Sequence, residues 1–239
     1  LMTNTTAASP TTYSFFAQPI EGLNVFDLAF GTASAATITV SFWVRSSVTG
    51  IYSISVTNSN GDRAYPAQYT INAANTFEYK TITVSGDTSG SWLTNNSTGI
   101  NLRFDLGSPS GRTAPAGAWV AGNYDGANGS TGGTTWANTT SATFYITGVQ
   151  LEKGSTATDF DYRPYGTEFL LCLRYALMIK NGTNSIDRLG LGSTVNATTV
   201  QMLIQHPVAF RAAPTLTTTG TAADYAVYST AVTACNAAP

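Results

Sequence analysis

Apolar and polar residues alternate along most of the first two thirds of the chain. In AATITVSFWVR (35–45), Ile38, Val40, Phe42 and Val44 point one way and Thr37, Thr39, Ser41, Trp43 and Arg45 the other, the two-residue period of a half-buried strand. GIYSISVT (50–57) repeats it, setting Tyr52, Ile54 and Val56 against Ile51, Ser53 and Ser55. The break at 46–50 reads as a turn, so these two strands are expected to pair as a hairpin. Residues 58–62, Asn-Ser-Asn-Gly-Asp, form a second loop with strong turn chemistry. Further strands are read at 68–73, 77–85, 99–107 and 142–154, each bounded by Gly, Asn, Asp or Ser. With no helical period before residue 165, this spacing predicts a mostly β fold, an antiparallel jelly-roll β-sandwich over 10–162. The glycine- and hydroxyl-rich stretch 107–141 is too long for an ordinary hairpin connection, and loops of that length are often functional.

The texture changes at 163–167, Arg-Pro-Tyr-Gly-Thr. Thr167 is placed to cap a short helix over 167–177, with Phe169, Leu170, Leu173, Ala176 and Leu177 on one face. After Asn181-Gly182 comes a smaller β-unit, 178–239, with one strand read at 198–205. Leu170, Leu171, Leu173, Leu177 and Met178 put apolar groups on more than one side of the helix. A threefold axis would bury them, which predicts a homotrimer.

Composition narrows the function classes. Hydrophobic residues make up 43% of the 239, enough for a core. Charged residues make up only 10%, against about 25% in an average soluble protein. Thr, Ser, Asn and Gly replace them, giving a polar but weakly ionic surface suited to sugar hydroxyls. The net charge of −2 and the absence of any Lys/Arg run remove the electrostatic basis for nucleic-acid binding. No run reaches the ~20 apolar residues of a membrane span, and residues 1–10 do not read as a signal peptide. The leading Leu1 and the ending at 234–239 read as a segment of a longer polypeptide. Cys172 and Cys235 do not make a disulfide framework; both are expected unpaired, at least one of them buried.

The run ITGVQLEKGSTATDFDYRPYGTEFLLCLRY (146–175) resembles a segment recurring in phage tail fibre proteins. There a sandwich similar to carbohydrate-binding modules ends in a GVQLEKG strand, and a DYRPYGTE-like linker, a short helix and a second β-unit follow. The stretches TITVSFWVRSSVTGIYSISVTNSNGDRAYPAQYTI, FEYKTITVSGDTSGSW and AWVAGNYDGANGS are similar to that family too, so the likeness covers roughly 15–180, and HPVAFRAAPTL (206–216) fits it as well. It implies a virion tail appendage, assembled in the host cytoplasm as a homotrimer with other virion tail proteins as partners; similar cassettes serve different targets, and recognition of a host-surface glycan is the leading reading of function. It supplies no binding residue. A structural spacer without a ligand site and a polysaccharide depolymerase are the rival readings.

Catalytic chemistry finds little to stand on. His206 is the single histidine and no Gly-x-Ser-x-Gly elbow occurs, which argues against a Ser-His-Asp triad. One His and two distant Cys do not make a zinc site. No phosphate-binding Gly-x-x-x-x-Gly-Lys-Ser/Thr loop appears, and GLGSTV (190–195) lacks the third glycine of a dinucleotide fingerprint. Asp159 and Asp161, or Asp105 and Asp125, could in principle serve glycoside hydrolysis; the plainer reading of Asp159 and Asp161 is pairing at a strand exit. Asn123-x-Asp125-Gly126-x-Asn128 offers oxygens at alternate positions but no closing carboxylate for calcium. In sandwiches of the resembled kind a structural calcium would be sought at Glu21 and Glu152. No catalytic residue, metal or cofactor is assigned.

The aromatics are the better lead, because Trp and Tyr faces stack on the apolar face of a pyranose while amides and hydroxyls take its OH groups. Trp43 and Tyr52, in patterned strands, are read as packing. Trp92, Trp119, Tyr124 and Trp136 lie in Gly/Ser/Asn-rich loops, and with Asn123 and Asp125 they form the expected glycan-binding set. The competing reading is that Trp119 and Trp136 pack down to cap the sandwich.

Overall fold

The computed structural model describes residues 1–7, 13–178, 192–196, 199–215, 217, 226–228 and 232–234. Two compact units divide the chain, Leu1–Tyr162 and Arg163–Pro239. The first contains β1 (Met2–Thr3), β2 (Phe15–Glu21), β3 (Ile38–Ser46), β4 (Gly50–Asn58), β5 (Arg63–Ile71), β6 (Glu78–Val84) and β7 (Thr98–Asp105). These are followed by β8 (Thr113–Ala114), β9 (Val120–Ala121), β10 (Gly126–Ala127), helix α1 (Thr131–Ala137) and β11 (Thr143–Lys153). One sheet runs β1-β11-β3-β6 and the other β2-β7-β4-β5-β9, with antiparallel pairing throughout both. Among the long strands, every connection except β4–β5 crosses from one sheet to the other. The result is an antiparallel jelly-roll β-sandwich.

The alternation read from sequence is the cause of the layering. Ile38, Val40, Phe42 and Val44 of β3 meet Tyr52, Ile54 and Val56 of β4 and Ile100, Leu102 and Phe104 of β7 between the sheets, almost all with no exposed surface. Each such side chain contributes about 1.5–3 kcal/mol of burial. Phe104 stacks on Phe16 at 4.8 Å and meets Phe42 edge-on at 5.2 Å.

Several expectations are corrected. β3 and β4 do not pair as a hairpin. Each carries one wholly apolar face, and the chain turns a corner at 46–50 so that those faces oppose each other across the core. The corner is tied by Ser46 Oγ, which lies 3.0 Å from the Tyr52 hydroxyl and accepts the Val48 N–H at 3.0 Å. The strand expected at 68–73 begins at Arg63 and passes through Pro66. The Pro66 carbonyl accepts the Gly117 N–H on the side away from β4, so the missing proline N–H costs no ladder bond there. β2, an edge strand containing Pro19, was not foreseen. Nor was α1, inside the stretch expected to be loop.

α1 has Gly132 and Gly133 in its first turn, poor helix formers. Packing explains the first of them: a Cβ on Gly132 would lie 2.5 Å from the Tyr52 ring. The helix is glycine-rich because it is pressed against the end of the sandwich.

In the second unit, α2 spans Tyr165–Leu173, earlier than the expected 167–177. Its N-cap is Pro164 rather than Thr167. Pro164 is extended, and its carbonyl accepts the Thr167 and Glu168 N–H groups at 3.0 and 3.2 Å; proline is well tolerated at a helix start, having no N–H to leave unpaired. Two hairpins follow, β12 (Gly192–Asn196) with β13 (Thr199–Met202) and β14 (Ala226–Tyr228) with β15 (Val232–Ala234). β13 takes the place of the strand read at 198–205. Cys172 is unpaired and exposed; Cys235 and the loop after Asn181-Gly182 lie outside the described residues.

Candidate functional site

The two sheets treat their outer faces differently. On the five-stranded sheet, residues 107–137 fold down over β4 and β7. Ser53 Oγ donates to the Asp105 carboxylate at 3.1 Å and accepts the Ala127 N–H at 3.0 Å, and the Ser130 hydroxyl joins at 2.9 Å. Burial pushes the Asp105 carboxyl upward, against hydrogen bonds from Ser53 and the Gly107 N–H. Gly126 sits so close above it that a Cβ would be 2.3 Å from Oδ2.

The expected glycan set dissolves into this packing. Asp125 has no exposed surface. Its carboxylate accepts Arg112 Nε at 2.7 Å, Arg112 Nη2 at 3.0 Å and Arg103 Nη1 at 2.7 Å. Asn123, although exposed, turns its amide oxygen to Arg103 Nη1. The same contacts remove the basis for a calcium loop here, since Asp125 is taken by two guanidiniums and Asn128 Oδ1 accepts the Thr113 hydroxyl. Trp136, on α1, is buried in the core. Trp92 and Trp119 are half-buried around Phe30, their rings 4.9 and 5.8 Å from it, and Tyr65 closes on Trp119 at 5.3 Å. Their indole N–H groups donate to the carbonyls of Ser89 and Ser85. Tyr124 is half-buried beside Gly122. The loop aromatics therefore cap the sandwich and lock its loops.

The outer face of the four-stranded sheet is built the other way. Register sets Trp43 between Thr147 and Tyr79, Ser41 between Gln150 and Thr81, and Thr39 between Glu152 and Thr83. A bulge in β11 between Thr147 and Gln150 keeps both of these residues on the outer face although they are three apart; Gly148, at φ 57, supplies the left-handed backbone it needs. Beyond β11 the chain folds back over the sheet. Thr39 Oγ1 donates to the Gly154 carbonyl at 2.8 Å, the Thr158 N–H to Glu152 Oε2 at 3.1 Å and the Asp161 N–H to Gln150 Oε1 at 2.8 Å. Gln150 and the Thr158 hydroxyl hold the Glu152 carboxyl below its usual range.

Between that returning segment and β3–β6 lies a groove of about 520 Å³. Its floor is Thr39, Ser41, Trp43, Tyr79, Thr81 and Thr83, and Ser155 to Phe160 form its wall. Trp43 and Tyr79 are 45% and 44% exposed, Phe160 55%. The Trp43 and Tyr79 rings are 5.3 Å apart and tilted by 46°. Asp159 is the one charged residue lining the groove. Such a surface offers ring faces and hydroxyls, the means of holding a polar ring compound.

Sequence reasoning assigned Trp43 to packing and missed Tyr79. The signal was present: both sit on the polar phase of their strands, Trp43 with Thr39 and Ser41, Tyr79 with Thr81 and Thr83. Of the carboxylates considered for hydrolysis, Asp105 and Asp125 are buried. Glu21 and Glu152 belong to strands of opposite sheets. Among the described residues no three His, Cys, Asp or Glu groups gather to hold a metal ion. His206 is exposed and packs its ring on Phe210 at 4.5 Å. No described helix is long and apolar enough to cross a membrane. No protein-family model, curated protein or solved structure matches the chain.

Proposed function

We propose that the chain is a module of a phage tail fibre that recognises a polysaccharide on the host cell surface, and that the sugar lies in the groove over β3 and β6. The observation that carries this reading is the exposed Trp43–Tyr79 pair set in a field of Thr and Ser hydroxyls. Aromatic side chains left in water cost free energy unless something covers them, and a pyranose presents a matching apolar face with hydroxyls at its rim. The sequence likeness to tail fibres supplies the virion setting, with other tail proteins as neighbours.

We take the assembly to be a homotrimer joined through α2. Tyr165, Phe169, Leu170 and Leu171 of that helix each keep about half or more of their surface exposed, and only Leu173 is buried. Light scattering on the purified chain should give three times the mass of 25.1 kDa; a monomer at micromolar concentration contradicts the trimer.

The groove is tested by host-cell adsorption and a glycan array with Trp43→Ala and Tyr79→Ala. Each should weaken binding at least about tenfold, the equivalent of 1.4 kcal/mol, with unfolding curves unchanged. Folded variants that adsorb like the parent would refute the groove and favour a spacer role. Release of reducing ends from host capsule would favour a depolymerase.

A further inference from the structure

We infer that the groove continues past Trp43 into a carboxylate-binding position at Arg45, so that the sugar it takes is an acidic one. The inference rests on the glycan reading above and adds the charge of the ligand. Arg45 is two residues along β3 from Trp43, about 7 Å, on the same outer face. Register puts Tyr145 of β11 directly opposite it. On the other side, Phe77 comes just before Glu78, the partner of Val44. The guanidinium carbon lies 4.9 Å from the Tyr145 ring centre and 6.0 Å from that of Phe77, and those two rings pack edge-on against each other at 6.3 Å, so the cation rests against an aromatic pair.

What sets Arg45 apart is the lack of an anion. Every other Lys and Arg of Leu1–Tyr162 has a carboxylate: Arg63 with Asp87, Lys80 with Glu78, Arg103 and Arg112 with Asp125, and Lys153 with Asp27. Arg45 has none among the described residues, and its Nε is buried without a hydrogen-bond partner. Proteins rarely immobilise a guanidinium without satisfying its donors. Nε is enclosed while the residue as a whole is only half-buried, so an incoming group meets the two terminal nitrogens. That end of the fork matches the paired oxygens of a carboxylate. The groove is also polarised along β3. Asp159, whose carbonyl accepts Gln150 Nε2 at 3.3 Å, belongs to the Ser41 row, about 13 Å of strand from Arg45. An acidic residue is therefore favoured at the Arg45 end, with its neighbour in the chain over Trp43 and Tyr79.

The test is an array of bacterial capsular polysaccharides, each acidic member printed beside its carboxyl-reduced form, probed with the full chain. The parent should bind an acidic member at least tenfold more tightly than its reduced form. Arg45→Gln should bring the acidic form down to the level of the reduced one and leave the reduced form unaffected, whereas Trp43→Ala should weaken both. Equal binding of native and reduced forms by the parent overturns the Arg45 inference and leaves the groove standing, and that comparison needs no variant to fold. Binding that follows phosphate content rather than carboxylate overturns the carboxylate assignment. Absence of binding to every member overturns the inference and the glycan reading together.

Discussion

Replacing Asp125 by Asn separates a structural charge from a binding residue. The side chain has no exposed surface and accepts three N–H groups from two guanidiniums whose side chains are 12% and 27% exposed. Asn keeps the shape but removes the negative charge, and one of its two oxygens becomes a donor aimed at an arginine. Arg103 already pays for burial: desolvation lowers its pKa, Asp125 works against that, and Arg112 adds to it. Without the carboxylate, two cations face each other. Removing one partner of a buried pair costs about 3–5 kcal/mol. Arg112 can swing partly into water, so about 3 kcal/mol is expected. For a unit of this size each kcal/mol lowers Tm by about 2–4 °C, which gives a fall of roughly 6–12 °C by calorimetry. Adding Arg112→Met should recover part of it by removing the repulsion. Glycan adsorption below the transition should be unchanged, since the groove lies on the other sheet. A Tm within about 2 °C of the parent, or lost adsorption with an unchanged Tm, would refute the reasoning.

Acid should weaken the sandwich partly through Glu78. Burial raises that carboxyl, but Lys80 at 2.6 Å, the backbone N–H groups of Ala73 and Asn72, and the Asn72 amide outweigh it and bring the pKa down to about 2. A depressed acid stabilises fully above its unfolded value near 4.5, and the contribution is lost as pH falls through about 2. Melts at pH 5 and pH 2.5 should therefore differ less for Glu78→Gln than for the parent, by an amount on the order of 1–2 kcal/mol after solvent screening; equal differences would show that Glu78 is not responsible. At Tyr69, burial drives the hydroxyl well above its ordinary pKa and the oxygen has no hydrogen-bond partner. Tyr69→Phe removes an unsatisfied polar atom, so denaturant midpoints should be unchanged or raised, by up to about 1–2 kcal/mol. A loss above 1 kcal/mol would mean that the hydroxyl is bonded in solution.

The strands were legible because a buried face two residues apart is written directly into sequence, as in Ile38, Val40, Phe42 and Val44. Sheet membership was not. A three-residue link (47–49) between two such strands fits a hairpin and a corner equally well, and what selects the corner is the non-local fit of β3 and β4 across the core. α1 was invisible because its composition answers to the Tyr52 ring rather than to helix propensity. Pro66 hid the first half of β5, since only the position of a neighbouring strand shows that its nitrogen faces an open edge. Loop position misled in the same way: Trp119 and Trp136 lie in a glycine- and hydroxyl-rich stretch, but their spatial neighbours are Phe30, Tyr65 and the core.

The asymmetry between the outer faces is what gives the groove its weight. Covering the five-stranded sheet took most of 107–137, with a carboxylate between two arginines, a buried serine pair and an aromatic cluster sealing the end. The four-stranded sheet is covered only in part: residues 154–161 fold back over its Thr39 and Ser41 rows, and both of those residues are buried. It kept Trp43, Tyr79 and Phe77 in water beside the exposed Thr81 and Thr83. Its edge strand β6 turns the Glu78–Lys80 ion pair toward the core side, opposite Val44 and Phe42, where inward charges discourage another strand from adding on. Strand addition is thus disfavoured at that edge while the Trp43–Tyr79 end of the face beside it stays exposed. The proposed ligand position follows from this asymmetry: the edge is protected while the Trp43–Tyr79 end of the face is left exposed. That is the ground for putting the ligand over Trp43 and Tyr79 rather than in the loops.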